Sequence, residues 1–505
     1  MPTGNAMAAA GEGPTVLLLL PGATCWRVER AGRASFLMEN AAYFAALRDA
    51  LLNARRSILL LGWQFDPRTR LDPAAPAHDR TGEIGFLLRK LARENPNLDV
   101  KLLIWRSPLP IAWSQDFFPM RAGAWFKTQA VDFRLDRARP LGACHHQKVV
   151  VIDDKLAFCG GGDVSVDRWD TAEHLDHDPR RCTPTGLICQ PRHEVMAMVD
   201  GAAARALGDL ARERWREKTG ERLLPVEAEG DPWPEGVKPD LHDVRVGIAR
   251  TEPAWRGRPG VRENEALHLE AIASARKLIY LENQYVTSPV ISAALALRLQ
   301  EPDGPEVVIV STARSPSWFD QAAMDGARGA LLARLRAADA HGRFSAWTPL
   351  TEEGGVVVVH SKVTIVDDRF LRAGSTNLNN RSCGFDTECD VAVEAEREGD
   401  ATARFIRAFR RRLIGHFVGV STESYAAAEE VFGGEVAGTI RALDPEGRRL
   451  APLATRPASR VSKLIAYWQL GDPFSPSDAW RPWRRRPLAR LVKTAAAQPG
   501  EAAPD

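Results

Sequence analysis

His145–Asp163 reads HHQKVVVIDDKLAFCGGGD, and it is answered later in the chain by HSKVTIVDDRFLRAGSTN over His360–Asn377. Both stretches contain His-x-Lys-x4-Asp, as His146/Lys148/Asp153 and His360/Lys362/Asp367. They then run on without a gap, so that Gly160 matches Gly374, Gly161 matches Ser375 and Asp163 matches Asn377. One copy of three spaced residues arises by chance. Two copies in matching contexts mark an internal duplication, with too few repeats for a solenoid.

The residue types point to a chemistry. Two residues apart on a strand, His and Lys project to the same side. An imidazole titrates near neutral pH and can attack phosphorus or protonate an alkoxide. A lysine offers fixed positive charge to the oxygens of a phosphoryl transition state. Phosphodiester transfer through a covalent intermediate needs one histidine to attack and a second to protonate the leaving oxygen, which two copies supply. Asp153 and Asp367 complete the six motif positions and are expected to hold local structure rather than touch substrate. Gly160-Gly161 and Gly374-Ser375 provide the small residues that close backbone approach to a phosphate requires, with Asp163 and Asn377 as short polar contacts beside them. No histidine–carboxylate metal spacing accompanies the pair, so catalysis without metal or cofactor is expected. The run His174-Leu-Asp176-His177-Asp178 could ligate a cation but reads as a solvated loop.

Around these motifs the apolar pattern alternates between strands and helices. A helix is predicted over 40–54, a strand over 57–61, a helix near 82–94, strands over 100–105, 148–152 and 194–199, and a helix over 202–215. The second half repeats the order, with a helix at 262–276, a strand at 278–281, a helix at 293–299, strands at 307–310, 363–366 and 390–393, and a helix at 400–414. The fold class expected is α/β: two pseudo-symmetric halves, each a mainly parallel or mixed sheet flanked by helices, with the active site between them. The boundaries read as a partly disordered N-terminal segment (1–35), a first half (36–226), a Pro/Gly-rich linker (227–245), a second half (246–425) and a C-terminal extension (426–505).

At 505 residues, with 45% hydrophobic and 26% charged content, the composition is that of a globular protein. A net charge of +2, from 67 basic and 65 acidic residues, advertises no bulk attraction to nucleic acid. Seven cysteines without a CxxC pair read as reduced structural thiols. Val16–Leu20 is too short an apolar run, without a basic flank, for a signal peptide. No apolar run is long enough for a transmembrane helix. The expectation is a cytoplasmic protein, at most peripheral at a membrane.

The sequence resembles the phospholipase D superfamily over roughly residues 40–425. The match extends past the short motif through HHQKVVVIDDKLAFCGGGDVSVDRWDTAEH (His145–His174), HSKVTIVDDRFLRAGSTNLNNRSCGFDTE (His360–Glu388) and Glu282-Asn283-Gln284-Tyr285. The resemblance implies a phosphohistidine intermediate on His146, with His360 protonating the departing alcohol and then activating water or another alcohol. It implies that Lys148, Lys362, Asn377 and Asp163 bind phosphate oxygens, and that Glu194 and Glu388 orient the two imidazoles. Glu194 stands where an aspartate is more usual, and Pro191-Arg192-His193 lacks the family's frequent tryptophan. A neutral His146 and a protonated His360 are expected, giving a bell-shaped pH profile.

What the resemblance implies about substrate is a glycerophospholipid, hydrolysed to phosphatidic acid and headgroup alcohol, with transphosphatidylation. The alternatives are a cardiolipin synthase-type phosphatidyltransferase, a nuclease or other phosphodiesterase, and a non-catalytic lipid-binding pseudoenzyme. No nucleic-acid partner is expected. No oligomer is required, because one chain holds both motifs. Among 14 tryptophans, Trp63, Trp105, Trp113, Trp125, Trp169 and Trp318 fall in segments leading to the expected site. Trp480-Arg-Pro-Trp483-Arg484-Arg485-Arg486 resembles a basic-aromatic anchor for anionic headgroups. Arg106 and Arg314 are candidate headgroup contacts.

Overall fold

The computed structural model describes residues 17–454, except 75–79, 108–118, 128–129, 138 and 318–319, and then 464–465, 468 and 470–479. The expectations made for residues 1–14, Trp113, Trp318, the Trp480–Arg486 cluster and the tail lie outside the described residues.

The two halves share one sheet. From its centre, β1 (Arg27–Met38) leads outward through β8 (Val195–Asp200), β6 (Leu156–Gly160), β5 (Val149–Ile152), β2 (Ser57–Gly62), β3 (Asp99–Trp105) and β4 (Asp132–Asp136). On the other side β9 (Leu241–Glu252) leads through β17 (Glu388–Glu394), β16 (Phe370–Gly374), β15 (Val363–Val366), β11 (Leu278–Glu282), β12 (Glu306–Val310) and β13 (Phe344–Pro349), with β18 (Leu450–Pro452) at the edge. The two orders correspond strand for strand. The halves meet where β1 pairs antiparallel with β9, from Arg27 opposite Ile248 to Ala34 opposite Leu241. Within each half β2–β3–β4 and β11–β12–β13 are parallel and the rest antiparallel, so the sheet is mixed.

Helices cover both faces, as the alternation predicts. The strand SILLLG (β2) and the strand VVVI (β5) are buried throughout because each faces a helical layer on both sides. One apolar core runs across both halves beneath the helices Gly201–Thr219 and Ala401–Val418, and the opposite face carries a separate core for each half. Caps fix the helix starts: Ser288 accepts from Ile291 N with Pro289 in the first turn, and Asp400 accepts from Ala403 N.

The central strands β1 and β9 are the elements that the periodicity misses. β1 begins inside the expected N-terminal segment, and β9 begins at Leu241, inside the expected linker. Their sequences, RVERAGRASFLM and LHDVRVGIARTE, carry charges where a buried strand should not. The long side chains resolve this by running out along the sheet: the Arg27 and Arg250 guanidinium groups both lie over the Trp26 ring, and Arg33 pairs with Asp200 and Asp231.

The last residue of each motif belongs to this scaffold. Asp153 takes φ +55° and accepts the backbone N–H groups of Arg55, Arg56 and Ser57 at 2.7–2.8 Å. Asp367 takes φ +53° and does the same for Arg276, Lys277 and Leu278. Each carboxylate thus clamps the turn after the motif strand to the start of its neighbour. At about 3.3 Å per residue, Asp153 sits some 16 Å along the strand from Lys148. The motif aspartates therefore do not join the histidines and lysines at the site, and their place in the motif reflects folding. Asp153→Ala strands three donors and is expected to cost about 3 kcal/mol. Chemical denaturation should show that loss, with the activity per folded molecule kept.

Candidate active site

The motif histidines stand at the end of the sheet where the parallel strands β2, β3, β11 and β12 finish, the end at which open α/β sheets place ligands. His146 precedes β5 and His360 precedes β15, each leaving its strand's start exposed to the segment that enters β17 or β8. The His146 N–H donates to Thr387 O at 3.0 Å, and Thr387 N donates back to Cys144 O. Equivalently, the His360 N–H donates to His193 O at 2.9 Å, extending the short parallel pair of β7 (Arg192–His193) and β14 (Val358–Val359).

Those backbone bonds cross the halves, and the side chains follow. His146 Nδ1 lies 2.8 Å from Glu388 Oε2, while His360 Nδ1 lies 2.6 Å from Glu194 Oε2. Each half's imidazole is held by the other half's carboxylate. The sequence points to both acids, and the structure supplies the crossing. With Nδ1 engaged in both rings, Nε2 is the nitrogen left for chemistry. The two side chains are 15% and 10% exposed, so each ring keeps a narrow opening to solvent.

Lys148 and Lys362 are buried, and each ammonium donates to the carbonyl of its own motif histidine. Asp163 does not present a free carboxylate. Its Oδ1 accepts from Trp63 N and Gln64 N, and its Oδ2 lies 3.3 Å from Lys148 Nζ. In the free site Asp163 is thus a counter-charge for Lys148, and a direct contact with phosphate oxygens would set two anions together there. Asn377 is buried, and its Oδ1 has no hydrogen-bond partner among the described residues.

Glycine at 161 makes room for Glu194: a methyl group there would collide with Glu194 Oε1. At the matching position Ser375 donates through Oγ to Glu388 Oε2 at 2.5 Å. The two acids are equal in length, so Gly161 and Ser375 give them different surroundings: Glu194 Oε1 fills the space at Gly161, whereas Glu388 takes a hydrogen bond from Ser375.

Burial dominates the electrostatics. It pushes the carboxyls of Glu194 and Glu388 up to about 7 and about 8, and it pulls Lys362 down to about 7. It also holds both imidazoles well below their usual range, an effect reinforced by Lys148 and Lys362 at His146 and by Lys362, Arg168 and Arg192 at His360. The expected protonated His360 is thus not a property of the free site. An incoming phosphodiester anion would offset the surrounding cations and raise both histidines.

Several neighbours escaped the sequence reading. Arg168 and Arg192 are buried cations acting on His360, and Arg192 Nε and Nη1 lack hydrogen-bond partners among the described residues. Their part depends on how the 164–192 segment folds back, which no spacing encodes. Trp63, by contrast, is one of the tryptophans to which the sequence points, and it lines the site: it stacks on Trp105 at 5.6 Å and meets the His146 ring edge-on at 6.2 Å. Trp125 and Trp169 instead sit under Arg80 and Arg180. Arg314 is exposed and bonds Gln321. The 174–178 run is not a solvated loop throughout, because His174 and Asp178 are buried.

The chain is similar to known proteins in sequence and in fold. The family described as "Cardiolipin synthase, PLD-like domain" matches residues 268–413. Phospholipase D A of Dictyostelium discoideum is 24% identical over 75% of this chain, and phospholipase D alpha 4 of Arabidopsis thaliana is 22% identical over 72%. The chain covers 35% and 62% of those proteins, respectively. Among solved structures, the phosphatidylserine synthase of Haemophilus influenzae Rd KW20 superposes with a TM-score of 0.52 at 14% identity, over 76% of this chain and 86% of that one. In sequence, then, the chain is similar to the phospholipase D superfamily, through its second half in the family match and through about three quarters of its length in these relatives.

Proposed function

We propose that the protein is a phospholipase D-type phosphodiesterase that acts on glycerophospholipids and transfers the phosphatidyl group to water or an alcohol. The observation that carries this reading is the pair of crossed histidine–carboxylate contacts, which hold two imidazoles at one site among buried lysines. His146 Nε2 attacks phosphorus, and the P–O bond to the headgroup breaks as His360 delivers a proton to the departing oxygen. His360, now neutral, takes a proton from water or an alcohol, which attacks the phosphohistidine, frees His146 and releases phosphatidic acid or the phosphatidyl-alcohol. Lys148, Lys362 and Asn377 hold the phosphate oxygens through both steps, and Arg168 and Arg192 add positive potential. Glu388 and Glu194 fix the tautomers of the two rings. Among the described residues no helix is long and apolar enough to cross a membrane.

The test is lipid mass spectrometry on protein incubated with mixed phosphatidylcholine, phosphatidylethanolamine and phosphatidylglycerol vesicles, with and without a primary alcohol. Phosphatidic acid, diverted to phosphatidyl-alcohol when alcohol is added, supports the reading. The description of the matching family favours a second one, phosphatidyl transfer to a glycerol-type acceptor. Cardiolipin as main product would select it. Absence of any lipid product from folded protein would sink both.

A pH dependence follows. Lys362 titrates at about 7 in the free site and loses its charge above that. Phosphate capture, and with it kcat/KM, should therefore fall as pH rises through 7, whereas kcat should fall less because bound phosphate holds the proton on. Lys362→Arg, always charged, should carry the alkaline limb of kcat/KM upward. An unchanged limb would exclude Lys362 as its source.

A further inference from the structure

Behind the second motif lies a cluster that the proposed chemistry does not use. Glu39, just after β1, meets His174 of the 164–192 segment, His193 of β7 and His416 of the helix Ala401–Val418, and one ligand atom from each lies within 4.8 Å of all the others. His174 Nε2 and His416 Nε2 face each other at 3.1 Å, and Glu39 Oε1 is 3.4 Å and 3.5 Å from them and 2.5 Å from His193 Nδ1. A tetrahedral zinc with bonds of about 2.0–2.1 Å separates its donors by about 3.4 Å. The separations of 3.1–3.5 Å have that size, the Glu39–His193 contact is shorter and would open on binding, and the cluster is interior: Glu39, His174 and His193 are buried, and the His416 side chain is 11% exposed.

The outer contacts have the form that metal-bound histidines take. His174 turns its Nδ1 to Asp170 Oδ2 at 2.8 Å, and His193 turns its Nε2 to Glu282 Oε2 at 2.9 Å. Those carboxylates are themselves fixed, Asp170 by Arg181 and Arg192 N, and Glu282 by Tyr280 and Ser361. Three carboxylates (Glu39, Asp170 and Glu282) face one guanidinium, Arg181; in the free protein they hold His174 and His193 in their charged forms, and a divalent cation taking the place of those two protons would keep the balance.

We propose that Glu39, His174, His193 and His416 bind a zinc-class divalent cation as a structural centre. Three imidazoles and a carboxylate suit a borderline-soft metal better than calcium or magnesium. The ligands come from both halves. Glu39 N donates to Glu194 O, His193 adjoins Glu194, and Glu282 accepts from Ser361 beside His360, so the cation positions the His360–Glu194 pair without touching substrate. The site does not depend on the phospholipid reading.

The test is metal content of the full chain after chelation and reloading with zinc, alongside the visible spectrum of cobalt-loaded protein. About one zinc per chain and the intense visible bands of tetrahedral cobalt are expected. His416→Gln should lose most of the zinc, and chelation should lower Tm of the wild type but not of that variant. Wild-type protein that retains no zinc and gives no cobalt spectrum overturns the proposal, as does His416→Gln binding zinc as tightly as wild type. Should the variant fail to fold, the wild-type zinc and cobalt measurements decide.

Discussion

His146→Ala is expected to lower turnover of a natural phospholipid by about 10⁴-fold while the protein stays folded. No other described nitrogen of the site combines a ring held at Nδ1 with a small opening to solvent, except that of His360, to which the proposed mechanism gives a different task. His360→Ala should be comparably impaired on a natural headgroup, whose alkoxide leaves poorly without a proton. The two variants should part company on a p-nitrophenyl phosphodiester, whose leaving group needs no proton. His360→Ala should regain much of its first-step rate there, seen as a burst of nitrophenolate, whereas His146→Ala should regain none. The reverse pattern would exchange the two roles, and activity within tenfold of wild type in His146→Ala would remove that residue from the chemistry.

The second large effect concerns the crossed carboxylates. Glu388→Ala and Glu194→Ala are each expected to reduce kcat by about 10²–10³-fold with little change in KM, because each frees a ring to rotate or take the wrong tautomer. Their fingerprints should cross as the contacts do. Glu194 holds His360, so its variant should be rescued by the activated leaving group. Glu388 holds His146, so its variant should not. Rescue of Glu388→Ala instead would mean that each acid serves the histidine of its own half.

Much of this was legible in the sequence because duplication repeats a local pattern. The motif strands are short, apolar apart from Thr364 and flanked by fixed polar residues, and the α/β alternation around them is strong. The acids Glu194 and Glu388 could be placed by resemblance, but which ring each one meets depends on pairing between segments 166 and 242 residues apart. The central strands β1 and β9 were hidden because arginines cover the sheet lengthwise, so strand periodicity is lost just where the halves join. Asp163 shows the converse. Aligned with Asn377, it looks like a phosphate ligand, yet its carboxylate is consumed by Lys148 and by the turn at Trp63. His174 looked like surface because it lies in a polar run. Its partners, Asp170, Glu39 and His416, are remote in the chain or one turn away, and they bury it.

The central claim is a double displacement in which the two halves each contribute one histidine to one phosphorus atom. The most direct test is the stereochemical course at phosphorus, using a phospholipid made chiral there with isotopic oxygen or sulfur and an alcohol as acceptor. Two successive in-line displacements predict net retention of configuration. Inversion would mean a single direct displacement, and would contradict the phosphohistidine on His146 and the division of labour drawn from the crossed pairs.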